Sequence, residues 1–136
     1  MITAVDTSVL LDFLGRDPRF GPGSREALRT SASTGRLVAC EAVWAEATAT
    51  FASADAAAAV LNRLGIEFSP LDAAAALAAG SAWRAYRKHG GKRQRLLADF
   101  LIGAHALKQA DRLLTRDRGF YRKYFRGLRI LDPSAS

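Results

Sequence analysis

Four acidic residues stand where the surrounding sequence could use them for chemistry: Asp6, Glu46, Asp99 and Asp117. Asp6 ends a short apolar run and is followed by two hydroxyl residues, Thr7 and Ser8. Asp117 follows Leu113, Leu114 and Thr115. Glu46 lies in AVWAEATA and Asp99 in LLADFLIGAHAL, both flanked by apolar side chains. An acid on the apolar side of a helix costs desolvation energy unless it finds a partner. Grouped carboxylates also repel one another, and a divalent cation removes that cost. Mg²⁺ and Mn²⁺ take oxygen ligands and keep several waters. A metal held in this way can polarise a phosphodiester and lower the pKa of a bound water. Taken singly, each acid has a plainer reading. Asp6 is a helix cap, Glu46 a solvated helix charge, Asp99 an ion-pair partner and Asp117 a turn residue.

The elements that must position these acids follow from periodicity and breakers. The pattern predicts a strand over Ile2–Val5 and a helix over Thr7–Leu14, with a Gly/Pro loop over 18–22. A helix capped by Ser24 runs to about residue 33, and a strand over 37–40 follows Gly35. Residues 41–52 read as a helix. Ser53 or Asp55 caps another to residue 64, where Gly65 suits the position after a helix. A strand over 66–69 precedes a long helix, capped by Asp72, that ends near residue 88 at a His-Gly-Gly break. A helix over 95–109, a strand over 112–115, a helical turn over 120–125 and a strand over 128–131 complete the chain. Short apolar strands alternating with helices predict a single α/β domain over residues 1–136, its mostly parallel sheet covered on both faces. In such sheets ligands bind beyond the carboxyl ends of the strands, where Asp6 and Asp117 both fall.

Composition narrows the partners. The 136 residues are 49% hydrophobic and 24% charged, which reads as a globular rather than a disordered chain. Twenty Lys and Arg against 13 Asp and Glu give a formal charge of +7, which suits a polyanionic partner as well as plain solubility. The single cysteine, Cys40, cannot form an internal disulfide, so a reduced, cytoplasmic setting is expected. Asp6 interrupts the first apolar stretch, which speaks against a signal peptide. No apolar run approaches the roughly 20 residues of a membrane helix.

With these residues in place, the sequence resembles the PIN domain family, in particular its VapC-type toxins of bacterial toxin–antitoxin pairs. Three stretches carry the resemblance: AVDTSVLLDF, LLADFLIGAHAL and LLTRDRGFYRKYF. They are similar to the family's first strand with its acidic turn, its acidic helix, and its strand ending in Thr-x-Asp. The resemblance implies a three-layer α/β/α domain with a roughly five-stranded parallel sheet. It places the family's acidic constellation on Asp6, Glu46, Asp99 and Asp117, as catalytic residues and metal ligands, with Glu41 as a rival to Glu46. Ser8 and Thr115 fall on supporting pocket positions. It further implies Mg²⁺- or Mn²⁺-dependent hydrolysis of RNA by metal-activated water, leaving a 5′-phosphate and a 3′-hydroxyl. Homodimerisation and inhibition by a cognate VapB-like antitoxin belong to the same expectation.

The stretch WRAYRKHGGKRQR carries Arg84, Arg87, Lys88, Lys92, Arg93 and Arg95 just before the Asp99 helix. These cations can grip RNA phosphates, with Trp83 and Tyr86 available for stacking, or simply solvate a helix end. Arg116, Arg118, Arg122, Lys123 and Arg126 surround Asp117 and can bind substrate or pair with acids. His89 and His105 lack the paired spacing of a zinc site and read as structural. Cys40, Trp44 and Phe51 read as packing residues, Asp12 as a surface or ion-pair residue, and Asp111 as a turn residue. An aspartyl phosphatase would need a second acid two residues after Asp6, where Ser8 stands. A phosphate-binding Gly-Lys-Ser/Thr loop is absent from the sequence. Two alternatives remain: a PIN nuclease of RNA processing or quality control, and a non-catalytic nucleic-acid-binding module.

Overall fold

The computed structural model describes residues 1–90 and 97–134. Five short strands form one parallel sheet in the order β3-β2-β1-β4-β5. These are β1 (Ile2–Val5), β2 (Arg36–Ala39), β3 (Ile66–Phe68), β4 (Arg112–Leu114) and β5 (Ile130–Leu131). β1 lies at the centre, with Ala4 in register with Val38 on one side and Leu113 on the other. Its last three residues are buried, as a strand covered on both faces requires.

Seven helices are present among the described residues. They are α1 (Thr7–Leu14), α2 (Gly21–Ser33), α3 (Glu41–Thr48), α4 (Ala54–Arg63), α5 (Ala73–Lys88), α6 (Leu97–Gln109) and α7 (Arg118–Tyr124). The strand order, with the right-handed rule for parallel crossovers, divides them between the two faces. The steps β1→β2→β3 run one way along the sheet and carry α1 to α4. The steps β3→β4→β5 run the other way and carry α5 to α7. Packing agrees with this division: α1 meets α2 and α3, α3 meets α4, and α5 meets α6 and α7. The two faces also touch each other, where α3 meets α6.

Local signals set most of the boundaries. Ser53 and Asp72 each accept a backbone N–H three residues on, from Ala56 and Ala75, and so cap α4 and α5. Gly65 takes φ 75°, the left-handed value that ends α4 without the strain a side chain would bring. Two expectations fail. α2 starts at Gly21 rather than after Ser24, because Pro22 in its first turn needs no hydrogen-bond donor. Ser24 is therefore buried inside the helix and caps nothing. α3 ends at Thr48, four residues early, with the Thr48 and Thr50 hydroxyls turned back onto the Trp44 and Ala47 carbonyls.

α6 approaches the core closely at Gly103. A Cβ there would lie 2.4 Å from the Phe125 ring, which is buried and ringed by Phe120 and Tyr121. Gly103→Ala should therefore destabilise the fold by about 1–3 kcal/mol through overpacking, despite the better helix propensity of alanine. Urea denaturation checks this, with a lower midpoint and an unchanged slope expected.

Candidate functional site

β1 and β4 are sequence-distant neighbours, and the chain reverses its direction of progress across the sheet between them. That is the topological switch point of an open parallel sheet, where a crevice forms at the carboxyl ends. Asp6 and Thr115, the residues that follow these two strands, meet there. The Asp6 N–H donates to the Leu114 carbonyl at 3.0 Å, and the Thr115 hydroxyl donates to Asp6 Oδ2 at 2.7 Å. The Ser8 hydroxyl reaches the same Oδ2 at 3.2 Å. Asp6 occupies the N-cap position of α1, yet its carboxylate does not cap the helix. The plain capping reading of Asp6 is thus replaced by a carboxylate turned toward β4.

Asp6 is buried, with 6% exposure. Burial raises its pKa to about 6; the Asp99 carboxylate adds to the rise, and the Thr115 and Ser8 hydroxyls oppose it. Asp99, in the first turn of α6, thus stands near enough to bear on Asp6. Asp117 joins through its backbone: its N–H donates to Thr115 Oγ1 at 3.0 Å, so one hydroxyl links both residues. Asp117 holds the N-cap position of α7, and its side chain does not cap the helix either. Glu46 accepts the Thr7 hydroxyl at 2.7 Å, one residue from Asp6. Its rival Glu41 faces elsewhere and takes the Leu71 N–H at 3.0 Å.

All four acids are therefore linked to one corner of the sheet by hydrogen bonds or by charge. Among the described residues, however, no three His, Cys, Asp or Glu side chains form a group that could hold a metal ion. The donors are carboxylate and hydroxyl oxygens, the set that Mg²⁺ or Mn²⁺ prefers. An acid made less acidic by burial, and a little further by a second acid, is also a place where a cation relieves an electrostatic cost.

The basic residues divide. Arg84, Arg87 and Lys88 are exposed at the C-terminal end of α5. Lys92, Arg93 and Arg95 lie outside the described residues. Arg116 forms a two-point ion pair with Asp12, which is buried on α1. Sequence reasoning treated the two separately, and nothing in their spacing of 104 residues joins them. Trp83 and Tyr86 are not free for stacking. Trp83 lies 5.9 Å from the Phe100 ring, and Tyr86 packs edge-on against Phe100 and Tyr124. Trp44 packs against Phe68. His105 is buried against the Ser69 hydroxyl at 2.9 Å, and burial lowers its pKa. Burial raises the pKa of the Cys40 thiol, which suits a core residue and not a nucleophile. Asp111 accepts the Ile2 N–H at 2.5 Å, pinning the start of β1. A cavity of about 970 Å³ opens between α1 and α2, lined by Phe13, Arg16, Asp17 and Arg25 among others, and none of the four acids lines it.

The model of the PIN domain family matches residues 3–126, and the chain belongs to that family. Similar solved structures include VapBC2 from Rickettsia felis bound to a DNA fragment from its promoter. The identity there is 17% and the TM-score 0.73, over 97% of this chain and 98% of that one. DNA-bound VapBC from Salmonella typhimurium gives 18% and 0.74, covering 98% of each chain. FitAcB from Neisseria gonorrhoeae gives 19% and 0.66, covering all of both. At these identities the likeness is one of fold. No curated protein matches the chain.

The burial of Asp6 has a consequence for stability. An acid whose folded pKa is about 6 against an ordinary 3.8 favours the fold in its protonated form. Its contribution is thus intact at low pH, is lost as pH rises from about 4 to about 6, and stays lost above. The loss is roughly 3 kcal/mol, at about 1.4 kcal/mol per pKa unit. Asp6→Asn keeps an oxygen acceptor for the two hydroxyls and removes the charge. In metal-free buffer the variant should gain stability over the parent as pH rises across that window. Denaturant midpoints at a series of pH values check this, and parallel curves for the two proteins would refute it.

Proposed function

We propose that this PIN domain is a metal-dependent endoribonuclease acting as the toxin of a toxin–antitoxin pair. The observation that carries the reading is Asp6. It is a carboxylate buried at the switch point, burdened by Asp99 and gripped on Oδ2 by two hydroxyls. A fold places a charge there at a cost, and a cation offsets that cost. Asp6 and Asp99 would hold Mg²⁺ or Mn²⁺, with Asp117 completing the set and Glu46 holding the ion or orienting water. When bound, such an ion polarises the scissile phosphodiester and lowers the pKa of a water.

The chain's own groups do the rest. Thr115 and Ser8 fix the Asp6 carboxylate, and Thr7 fixes Glu46. These two carboxylates are thus orientated before substrate arrives, which removes part of the reorganisation from the reaction. Exposed Arg84, Arg87 and Lys88 stand ready for RNA phosphates, and the Arg87 guanidinium lies 5.2 Å from the Trp83 ring centre. A VapB-like antitoxin and a second copy of the chain are the protein partners in this reading. Its support is the fold shared over nearly the full length with chains in VapBC and FitAB complexes.

One observation favours a non-catalytic nucleic-acid-binding module: no three candidate ligands are assembled among the described residues. RNA cleavage decides between the two. Purified protein with a total-RNA pool should give discrete fragments with Mg²⁺ or Mn²⁺ and none with EDTA. Asp99→Asn should lower the rate at least about 100-fold, and Glu46→Gln roughly 10- to 100-fold. Binding of RNA without cleavage in any metal would establish the module instead.

A further inference from the structure

We propose that Asp12 and Arg116 are a positioning pair that holds the turn carrying Thr115 and Asp117 against α1, and that Arg116 is not a ligand of the RNA backbone. The purpose assigned to the turn rests on the nuclease reading; the geometry does not.

Asp12 lies six residues after Asp6 on the same helix, about 240° around its axis, and so faces away from the acidic corner. It is 6% exposed, and a buried carboxylate needs a partner with matched donors. Arg116 supplies them from the other end of the chain. Its Nε and Nη2 donate to the two carboxylate oxygens, the Nη2 bond at 3.0 Å. This two-point fork fixes orientation as well as distance. The same guanidinium lies over the Phe20 ring, 4.0 Å from its centre. Phe20 is itself held, its N–H donating to Asp17 Oδ1 at 2.8 Å. Arg116 is thus fixed to α1 and to the turn between α1 and α2.

Arg116 sits in the bend between Thr115 and Asp117, so anchoring its side chain to α1 restrains the backbone that carries both neighbours. Thr115 Oγ1 binds at both ends, donating to Asp6 Oδ2 and accepting the Asp117 N–H. An Arg116 turned to a phosphate would give up the Asp12 fork, and the bend that holds Thr115 on Asp6 and the Asp117 N–H would lose that anchor. α1 therefore holds the site twice, through Asp6 at its start and through Asp12 near its end.

The test uses Asp12→Asn, Arg116→Gln, Arg116→Lys and the apolar double variant Asp12→Leu with Arg116→Met. The double variant removes both charges together, so it leaves no orphan ion to unfold the protein. It decides the matter if a single variant does not fold. The first readout needs neither metal nor RNA. Hydrogen exchange at the Asp117 amide should speed up at least about tenfold, while the Asp6 amide, bonded to Leu114, keeps its protection. Calorimetric Mn²⁺ affinity should fall roughly 10- to 100-fold. In RNA cleavage kcat should fall with KM unchanged within about twofold. Arg116→Lys should not restore these values, because an ammonium lacks the fork. The double variant should match the singles and not sum them. Unchanged Asp117 exchange would overturn the proposal. So would a raised KM in Arg116→Gln beside an unaffected Asp12→Asn, which would make Arg116 a phosphate ligand. If the parent protein neither binds Mn²⁺ nor cleaves RNA, the nuclease reading fails, and Asp117 exchange still decides the pair.

Discussion

The hydrogen bond from Thr115 to Asp6 Oδ2 is the contact on which the corner of the sheet depends. It joins residues 109 apart in sequence, at the ends of the two strands that flank the switch point. Parallel pairing alone brings β1 and β4 side by side. It does not explain a carboxylate in a place where water is excluded. That needs donors, and the chain provides two hydroxyls and the Thr7 N–H. They do not fully offset burial, since the Asp6 pKa stays raised to about 6. The remaining imbalance is the physical signature of the site: a fold optimised for stability alone would place a neutral residue there.

Other contacts bring the remaining acids to this corner from both faces of the sheet. α3 delivers Glu46 from one face, and its contact with α6 brings it towards the helix that starts near Asp99. The segment after β3 is tied down by separate polar contacts. Glu41 takes the Leu71 N–H, Gln109 takes the Asp72 N–H and donates to the Pro70 carbonyl, and His105 meets Ser69. With that segment fixed, α5 starts at its Asp72 cap and reaches the aromatic cluster of Trp83, Tyr86, Phe100, Phe120 and Tyr124. Phe100 directly follows Asp99, so this cluster seats the first turn of α6. Side chains that suggested base stacking are instead the packing that sets where Asp99 stands.

What could be read from the sequence is what local chemistry determines. Asp72 and Ser53 cap helices, Gly65 adopts its left-handed turn, and the strands are the short apolar runs. The acids Asp6, Glu46 and Asp99 were marked by apolar neighbours, and Asp117 by its place after a strand. The sequence did not disclose facts that depend on distant partners. Ser24 has the chemistry of a cap, but Pro22 starts the helix ahead of it. Asp12 reads as a surface or ion-pair residue and Arg116 as a substrate binder or a partner for an acid, and only the fold sets the two together. Gly103 carries no local signal of its own, and its reason is the Phe125 ring beside it.

The chain carries a formal charge of +7, yet its net charge is a poor guide to this corner. The exposed cations Arg84, Arg87 and Lys88 stand in high dielectric, screened over about 8 Å at physiological salt. The Asp6 carboxylate stands where screening is weak and each neighbouring charge counts for more. A long polyanion would be gathered by the first set through interactions that salt erodes, and it would be repelled by the second. The two sets can serve one substrate only if something positive stands between the acids and the phosphate. In the proposed reading, an RNA drawn to the basic surface would meet the acidic corner only with a cation between them. Affinity for RNA and turnover of RNA would then be separable in the proposed nuclease, one set by salt and the other by metal.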